Sequence, residues 1–312
     1  MKKYILKRLL QLLPILFCMT FLTFTLMQFG MTDAADIIYE QSGSVDSAVV
    51  EAKRRELGLD RPFLIQYFDW LKNVFNFDLG RSYISEKPVF EMFVDKFPAT
   101  FLLMLVSMIF TLAVSIPLGI ISALNSNAKI DYIIRFFAFV GNSLPNFFVG
   151  LVLMYIFALK LDLFSIVEKT GNFKEVILPA ATLAISMTSK YTRQIRALTL
   201  EEINQPYVIG AKARGISEFN ILKSVLKCVS LTLITLIALS IGSLLGGATI
   251  VETVFMWDGV GMLAVNAALM RDYPVLQAYV LFISVVYVVV NLLADIAYYY
   301  LDPRMKFEQT RS

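Results

Sequence analysis

Side chains able to carry proton transfer or metal ligation are scarce in this chain. Among its 312 residues there is no histidine, and the two cysteines are Cys18 and Cys228. Without histidine the commonest general base and the commonest transition-metal ligand are both missing. The cysteines lie far apart in sequence, in or beside apolar runs, and read as small packing residues rather than a disulfide framework or a CxxC metal site. No GxxxxGK[ST] run occurs, so the chain has no P-loop with which to cradle ATP phosphates. The expectation is therefore no catalytic residue, no metal ligand and no cofactor bound by this chain.

The polar groups that remain suit passage and contact better than reaction. Asn142, Ser143 and Asn146 bracket Pro145 inside an apolar run. A proline there removes a backbone hydrogen bond and frees a carbonyl. A break at membrane depth is tolerated where it faces protein or water, so these three are candidates for a solute path, with a packing kink as the alternative. Ser186 belongs to a polar stripe with Thr182, Thr188 and Ser189 that would face other helices or a water-filled path, and it joins the path candidates. Glu252, at the outer end of an apolar run, is the last of them; it suits attraction of a cation or an external protein, and equally a plain boundary charge. Asp295 lies well inside an apolar run, but its nearness to the inner end, with Asp302 and Arg304 following, favours structural pairing. Gly242, Gly246 and Gly247 read as sites of close helix packing.

The elements that must position these groups are membrane helices. Hydrophobic residues make up 57% of the chain and charged ones 17%, far from the roughly one-quarter charged content of soluble domains. A span needs about twenty apolar residues, because the hydrocarbon layer is about 30 Å thick. Runs of that kind cover residues 9–29, 101–124, 136–159, 176 to about 189, 229–251 and 274–300. The first is longer than a signal-peptide core and lacks a small-residue cleavage site, so it reads as an uncleaved anchor. This is an all-α membrane protein of about six spans. Lys2, Lys3, Lys7 and Arg8 put the N-terminus in the cytoplasm, and sixteen Lys and Arg then fall on cytoplasmic segments against four on the two short external loops. Both termini are expected inside. With a net charge of +3 and no basic run interleaved with aromatics, nucleic acid is not an expected partner.

Three parts follow: 1–30 with the first span, an external segment at 31–97, and a core of 98–312. In the external segment, residues 57–76 repeat apolar side chains at helical spacing, which suits an amphipathic helix at the outer interface or under a docked protein. The core carries a polar cytoplasmic insertion at 193–227, reading RQIRALTLEEINQPYVIGAKARGISEFNILKSVLK. Pro206 suits the first position of a helix, and Gly215 suits the left-handed residue that ends one. A second short helix would start at Ser217, with Glu218 near its positive end. Two short helices joined by a glycine turn would form a knob for a partner's groove; an amphipathic hairpin on the inner leaflet is the alternative.

Tyr207, Val208, Ala211, Lys212, Ala213, Arg214, Gly215, Ile216 and Ser217 resemble the cytoplasmic EAA loop of permease subunits of ATP-binding cassette importers, in its nickel and oligopeptide branch. Other segments fit that branch in the same order: KKYILKRLLQLLP, GLDRPFLIQYFDWL, DLGRSY, FPAT, SLPNFF, GGATIVETVFMWDGVGML, RDYPVLQA and NLLADIAYYYLDPR. Ile209 and Gly210 stand where the family's Glu and first Ala fall, as is common in the branch, and Thr232 replaces a proline frequent after the loop. The resemblance implies the type I importer permease fold and a multi-pass place in the bacterial cytoplasmic membrane, among its lipids. It also implies a second homologous permease subunit, two cytoplasmic ATPase subunits that use ATP and Mg²⁺, and an extracytoplasmic solute-binding protein. The ATPase would dock on Tyr207, Ala211, Lys212, Ala213, Arg214, Gly215, Ile216, Ser217 and Glu218. SLPNFF, preceded by FFAFVGN, looks closest to nickel permeases, so nickel as a chelate is the leading solute and short peptides the alternative. An intramembrane enzyme or a secondary transporter would need catalytic pairs or inverted repeats, and neither pattern is present.

Overall fold

The computed structural model describes residues 2–28, 35, 47–164 and 174–301. The described regular elements are helical, apart from an isolated bridge between Arg81 and Pro88. In chain order they are α1 (Lys2–Gln28), α2 (Ser47–Glu56), α3 (Phe63–Phe75), α4 (Val89–Leu124), α5 (Lys129–Ser143), α6 (Asn146–Leu153) continued by a π-helical turn Met154–Lys160, α7 (Ile177–Ile203), α8 (Pro206–Ala213), α9 (Glu218–Val254), α10 (Val260–Leu269) and α11 (Tyr273–Leu301). The chain divides into two compact units, one of Met1–Thr100 with Asp258–Val289, the other of Phe101–Trp257 with Val290–Ser312.

Two helices outrun their apolar runs. α9 has 37 residues and α4 has 36. At 1.5 Å per residue each is about 55 Å long, well beyond the roughly 30 Å hydrocarbon layer, so both must project outside it. The second helix expected at Ser217 is therefore not short. It is the first part of α9, because no proline interrupts Glu218–Val254. By length and composition α4, α9 and Tyr273–Ala294 are able to cross a membrane, and the pair Lys129–Ser143 and Asn146–Lys160, bent by 103°, makes a fourth if it is one broken span. Pro14–Met27 and Val260–Leu269 are shorter apolar helices. α7 carries the expected fourth span but is too polar to qualify. The reason is its position: it packs on α5, α6 and α9, so its neighbours are helices rather than lipid. Thr182, Ser189, Thr192 and Thr199 are accordingly buried along it, beside Leu183, Tyr191 and Ile195.

The unit containing α1 has its own core. Tyr67 of α3 is fully buried. Its ring meets Phe21 and Phe24 of α1 edge-on at 5.2 and 5.5 Å, and its hydroxyl pairs with Thr20 at 3.1 Å. The amphipathic helix expected over 57–76 starts only at Phe63, since Gly58 turns the chain at φ +69° and Pro62 stands before the first turn. Val89, Phe93, Val260, Ala267, Val275 and Ala278 form a second cluster, capped by Phe282 against Phe93 and Phe97. Asp272 accepts hydrogen bonds from the Ser82 hydroxyl at 2.5 Å and the Tyr83 amide at 3.0 Å, which ties the loop before α4 to the loop before α11. Burial, with the Asp272 charge beside it, pushes the Tyr83 phenol up to about 12.

Candidate functional site

The hairpin between α7 and α9 follows from two residues. Pro206 occupies the first turn of α8, where its missing N–H costs nothing. Gly215 ends it at φ +72°, with the Gly215 amide donating to Lys212 O at 3.0 Å and the Ile216 amide to Ala211 O at 3.2 Å. That pair of bonds is the Schellman closure of a helix end. A Cβ at Gly215 would meet nothing within 4 Å, so the glycine is there for its backbone angle rather than for space. Val208 and Ala211 are buried, as are Ile221 and Val225 on the first turns of α9, and these small contacts hold α8 against α9. Ser217 precedes α9, but its hydroxyl makes no capping bond; its carbonyl accepts the Asn220 and Ile221 amides instead.

The outer face of this hairpin is both apolar and cationic. Tyr207, Ile209, Ile216 and Phe219 are exposed, Phe219 by 76%, together with Lys212, Ala213, Arg214, Ser217 and Glu218. Isolated exposed hydrophobics are ordinary on a protein surface, but four within thirteen residues, flanked by two cations, form a patch suited to a protein partner. The Tyr207 hydroxyl donates to Glu202 at 2.8 Å and so fastens the start of α8 to the end of α7. Desolvation, together with the Glu202 carboxylate, holds that phenol above its ordinary value, which keeps it a donor.

The path candidates are placed less uniformly. Asn142 and Ser143 are exposed at the end of α5, and Asn146 is half-buried at the start of α6. Between them Leu144 is extended, with ψ 133°, the conformation that a following proline favours. The break is therefore a sharp bend of 103° and not a kink within one helix. Asn146 lies against α9: a Cβ at Gly247 would come within 3.2 Å of its Nδ2. Ser186 is half-buried on α7, and Glu252 is fully buried near the C-terminal end of α9. The apolar groove of about 670 Å³ between α4, α5 and α7 is lined by none of these five; Phe110, Ile133, Phe137 and Ile185 form its walls. The backbone of Asp295 is in α11, but its side chain lies outside the described residues.

Sequence reasoning missed Asp131 altogether and used Arg196 only for orientation. Asp131, in the first turn of α5, is fully buried. Its carboxylate accepts from Arg196 twice, Nε to Oδ1 at 2.7 Å and Nη2 to Oδ2 at 2.8 Å. The Ser122 hydroxyl at 2.5 Å and the Asn127 amide at 3.0 Å complete the shell. Arg135, four residues on, approaches Oδ1 to 3.6 Å. The sequence signal was an acid close to the start of an apolar run, with arginine at i+4.

Residues 115–307 match the family described as the binding-protein-dependent transport system inner membrane component, and residues 1–104 match its N-terminal component. The chain belongs to that family. It is 37% identical to the oligopeptide transport system permease protein AppB of Bacillus subtilis, over 98% of this chain and 100% of that one. Identity is 32% to a putative peptide transport system permease protein of Brucella abortus, over 99% and 100% of the two chains. It is again 32% to the nickel import system permease protein NikB of Staphylococcus aureus, over 98% and 92%. This permease is thus a multi-pass inner-membrane subunit of an ABC importer, in the nickel and oligopeptide branch. Catalysis is not its part in such a system.

Proposed function

We propose that this permease forms one half of the path of an ATP-driven importer of short peptides, in which residues 207–219 seat an ATPase subunit. The observation carrying the docking half is the hairpin's exposed patch of Tyr207, Ile209, Lys212, Arg214, Ile216 and Phe219 on a packed helix pair. The polar groups at the helix break, Asn142, Ser143 and Asn146, are uncharged amides and a hydroxyl, suited to the amide groups of a peptide. Among the described residues no three of His, Cys, Asp and Glu gather as metal ligands. Stepwise coordination of a bare transition ion along this wall has no support from those groups. Nickel enclosed in an organic chelate is the second reading, favoured by SLPNFF and by the likeness to NikB. In either case six spans with both termini inside, a second permease, two ATPases and a binding protein complete the assembly. Glu252 and Ser186 belong to the path in this reading, Glu252 near its outer mouth.

The test is uptake into proteoliposomes holding the complete complex, with labelled peptide and a labelled nickel chelate offered in parallel. Peptide should accumulate only with ATP inside and binding protein outside. Chelate uptake without peptide uptake would move the assignment to the second reading, and uptake that persists after the ATPase subunits are removed would overturn the importer assignment. Reversing charge at both Lys212 and Arg214 should weaken ATPase retention on purification by about tenfold, the scale of a lost interfacial charge pair.

A further inference from the structure

Asp131 and Arg196 join the stem of the docking hairpin to the helix that ends at the break. Arg196 lies on α7 seven residues before Ile203, about two helical turns, and only Asn204 and Gln205 separate Ile203 from α8. The Tyr207–Glu202 hydrogen bond binds α8 back onto that stem. Asp131 opens α5, and the other end of α5 is Ser143, where the chain breaks before Pro145. A second attachment lies near that end: a Cβ on Gly141 would fall 2.2 Å from the Ser189 hydroxyl, so the α5 and α7 backbones are in close approach there. Residues 131 and 141 are ten apart along α5, about 15 Å of helix. α5 thus meets α7 at two places, by the ion pair at its start and by close approach near its end.

We propose that the Asp131–Arg196 pair is a positioning clamp that makes α5 follow the stem of the docking hairpin, so that movement imposed on residues 207–219 reaches the broken helix at 143–146. This rests on the reading of that hairpin as the ATPase seat. The pair's chemistry fits the role. A two-pronged guanidinium–carboxylate contact fixes both distance and orientation, where an apolar contact of the same size would let the helices slide. Stability alone does not call for it, because a buried ion pair is commonly no more stabilising than packed apolar groups. Its hydrogen bonds to Ser122 and Asn127 extend the clamp to the α4–α5 turn, so the turn moves with the stem as well.

The experiment compares Asp131→Asn, Arg196→Lys and the double variant Asp131→Asn/Arg196→Met in the reconstituted complex, beside Lys212→Glu/Arg214→Glu. Three quantities are read: ATPase retained on purification, ATP hydrolysed, and solute taken up. The double variant removes both charges of the pair together, so it avoids the uncompensated cation that Asp131→Asn leaves at Arg196. It should retain ATPase as the unaltered complex does, hydrolyse ATP, and lose about tenfold in uptake per ATP hydrolysed, within the usual range of coupling energies. Arg196→Lys, which keeps the charge but loses the two-pronged contact, should fall between. If the double variant transports with unchanged uptake per ATP, or restores a coupling that Asp131→Asn lost, the pair serves stability only and the clamp is overturned. If the hairpin variant keeps its ATPase and full uptake, the docking reading itself fails, a result separable from the first.

Discussion

Gly215 closes α8 by backbone angle, with open space where its side chain would be. Replacement therefore acts on conformation and not on packing. Gly215→Asn, which tolerates the left-handed region, should leave the hairpin nearly intact, whereas Gly215→Val should cost about 1–2 kcal/mol in that turn and loosen Ile216 and Phe219. Faster amide exchange at residues 211–219 in the valine variant, with the asparagine variant close to the unaltered protein, is the expected readout. Equal exchange in all three would show that the turn is held from elsewhere. The same residue was legible in the sequence, because glycine after a short helix has few other uses. Asp131 was not. An acid at the edge of an apolar run usually marks a boundary, and only the fold brings Arg196, sixty-five positions later, onto both of its oxygens.

Among the elements, α7 is the one whose polar stripe, expected to face other helices or a water-filled path, packs Thr182 and Ser189 into the helix contacts. Hydropathy ranks a helix by its suitability for lipid, and α7 lies against α5, α6 and α9, so its threonines and serines appear as defects when they are contact groups. Gly141 shows how close that contact is. Gly141→Ala should cost about 1–3 kcal/mol by overpacking against Ser189, and it should separate the upper part of α5 from α7. Removing the hydroxyl in Gly141→Ala/Ser189→Ala leaves the nearer obstacle, a Ser189 Cβ contact of 3.4 Å, at ordinary van der Waals distance, so the pair should recover most of the loss. The thermal midpoints of the two single variants and the double one form the cycle that checks this. Additive losses would contradict the close approach.

At the scale of the whole molecule, each of the two units holds buried side chains, Tyr67, Phe93 and Val260 in the one, Leu183, Tyr191 and Ile195 in the other. Tyr67 belongs to the unit with α1. Tyr67→Ala removes a fully buried ring packed on Phe21 and Phe24 and should cost about 3–5 kcal/mol, freeing α3. Protease added to the outer side of intact vesicles should then cut near residues 57–62, while ATPase retention, which the proposed seat at 207–219 assigns to the other unit, stays at its original level. Loss of the ATPase in that variant would mean that the units fail together. Tyr67→Phe keeps the ring contacts, and Thr20 keeps its bond to Leu16 O, so only a slight loss is expected there.

What the sequence determined alone was class and turn; that the chain breaks at Pro145 while α4 runs on through Pro98 and Pro117 was decided by the fold. Long uncharged runs require helices in lipid, and Gly215 is at ease where other residues are strained. These are local consequences of residue type, and they need no knowledge of neighbours. The tertiary structure alone decided that the break bends by 103°, that α9 runs unbroken from the hairpin through its apolar run, and that Asp131 and Arg196 meet. Each depends on which surfaces face one another, and a pairing between distant segments is stable only after the helices between them have packed. The coupling clamp belongs to this second kind: its two residues carry no motif, and their meaning comes from a shared position at the root of the hairpin.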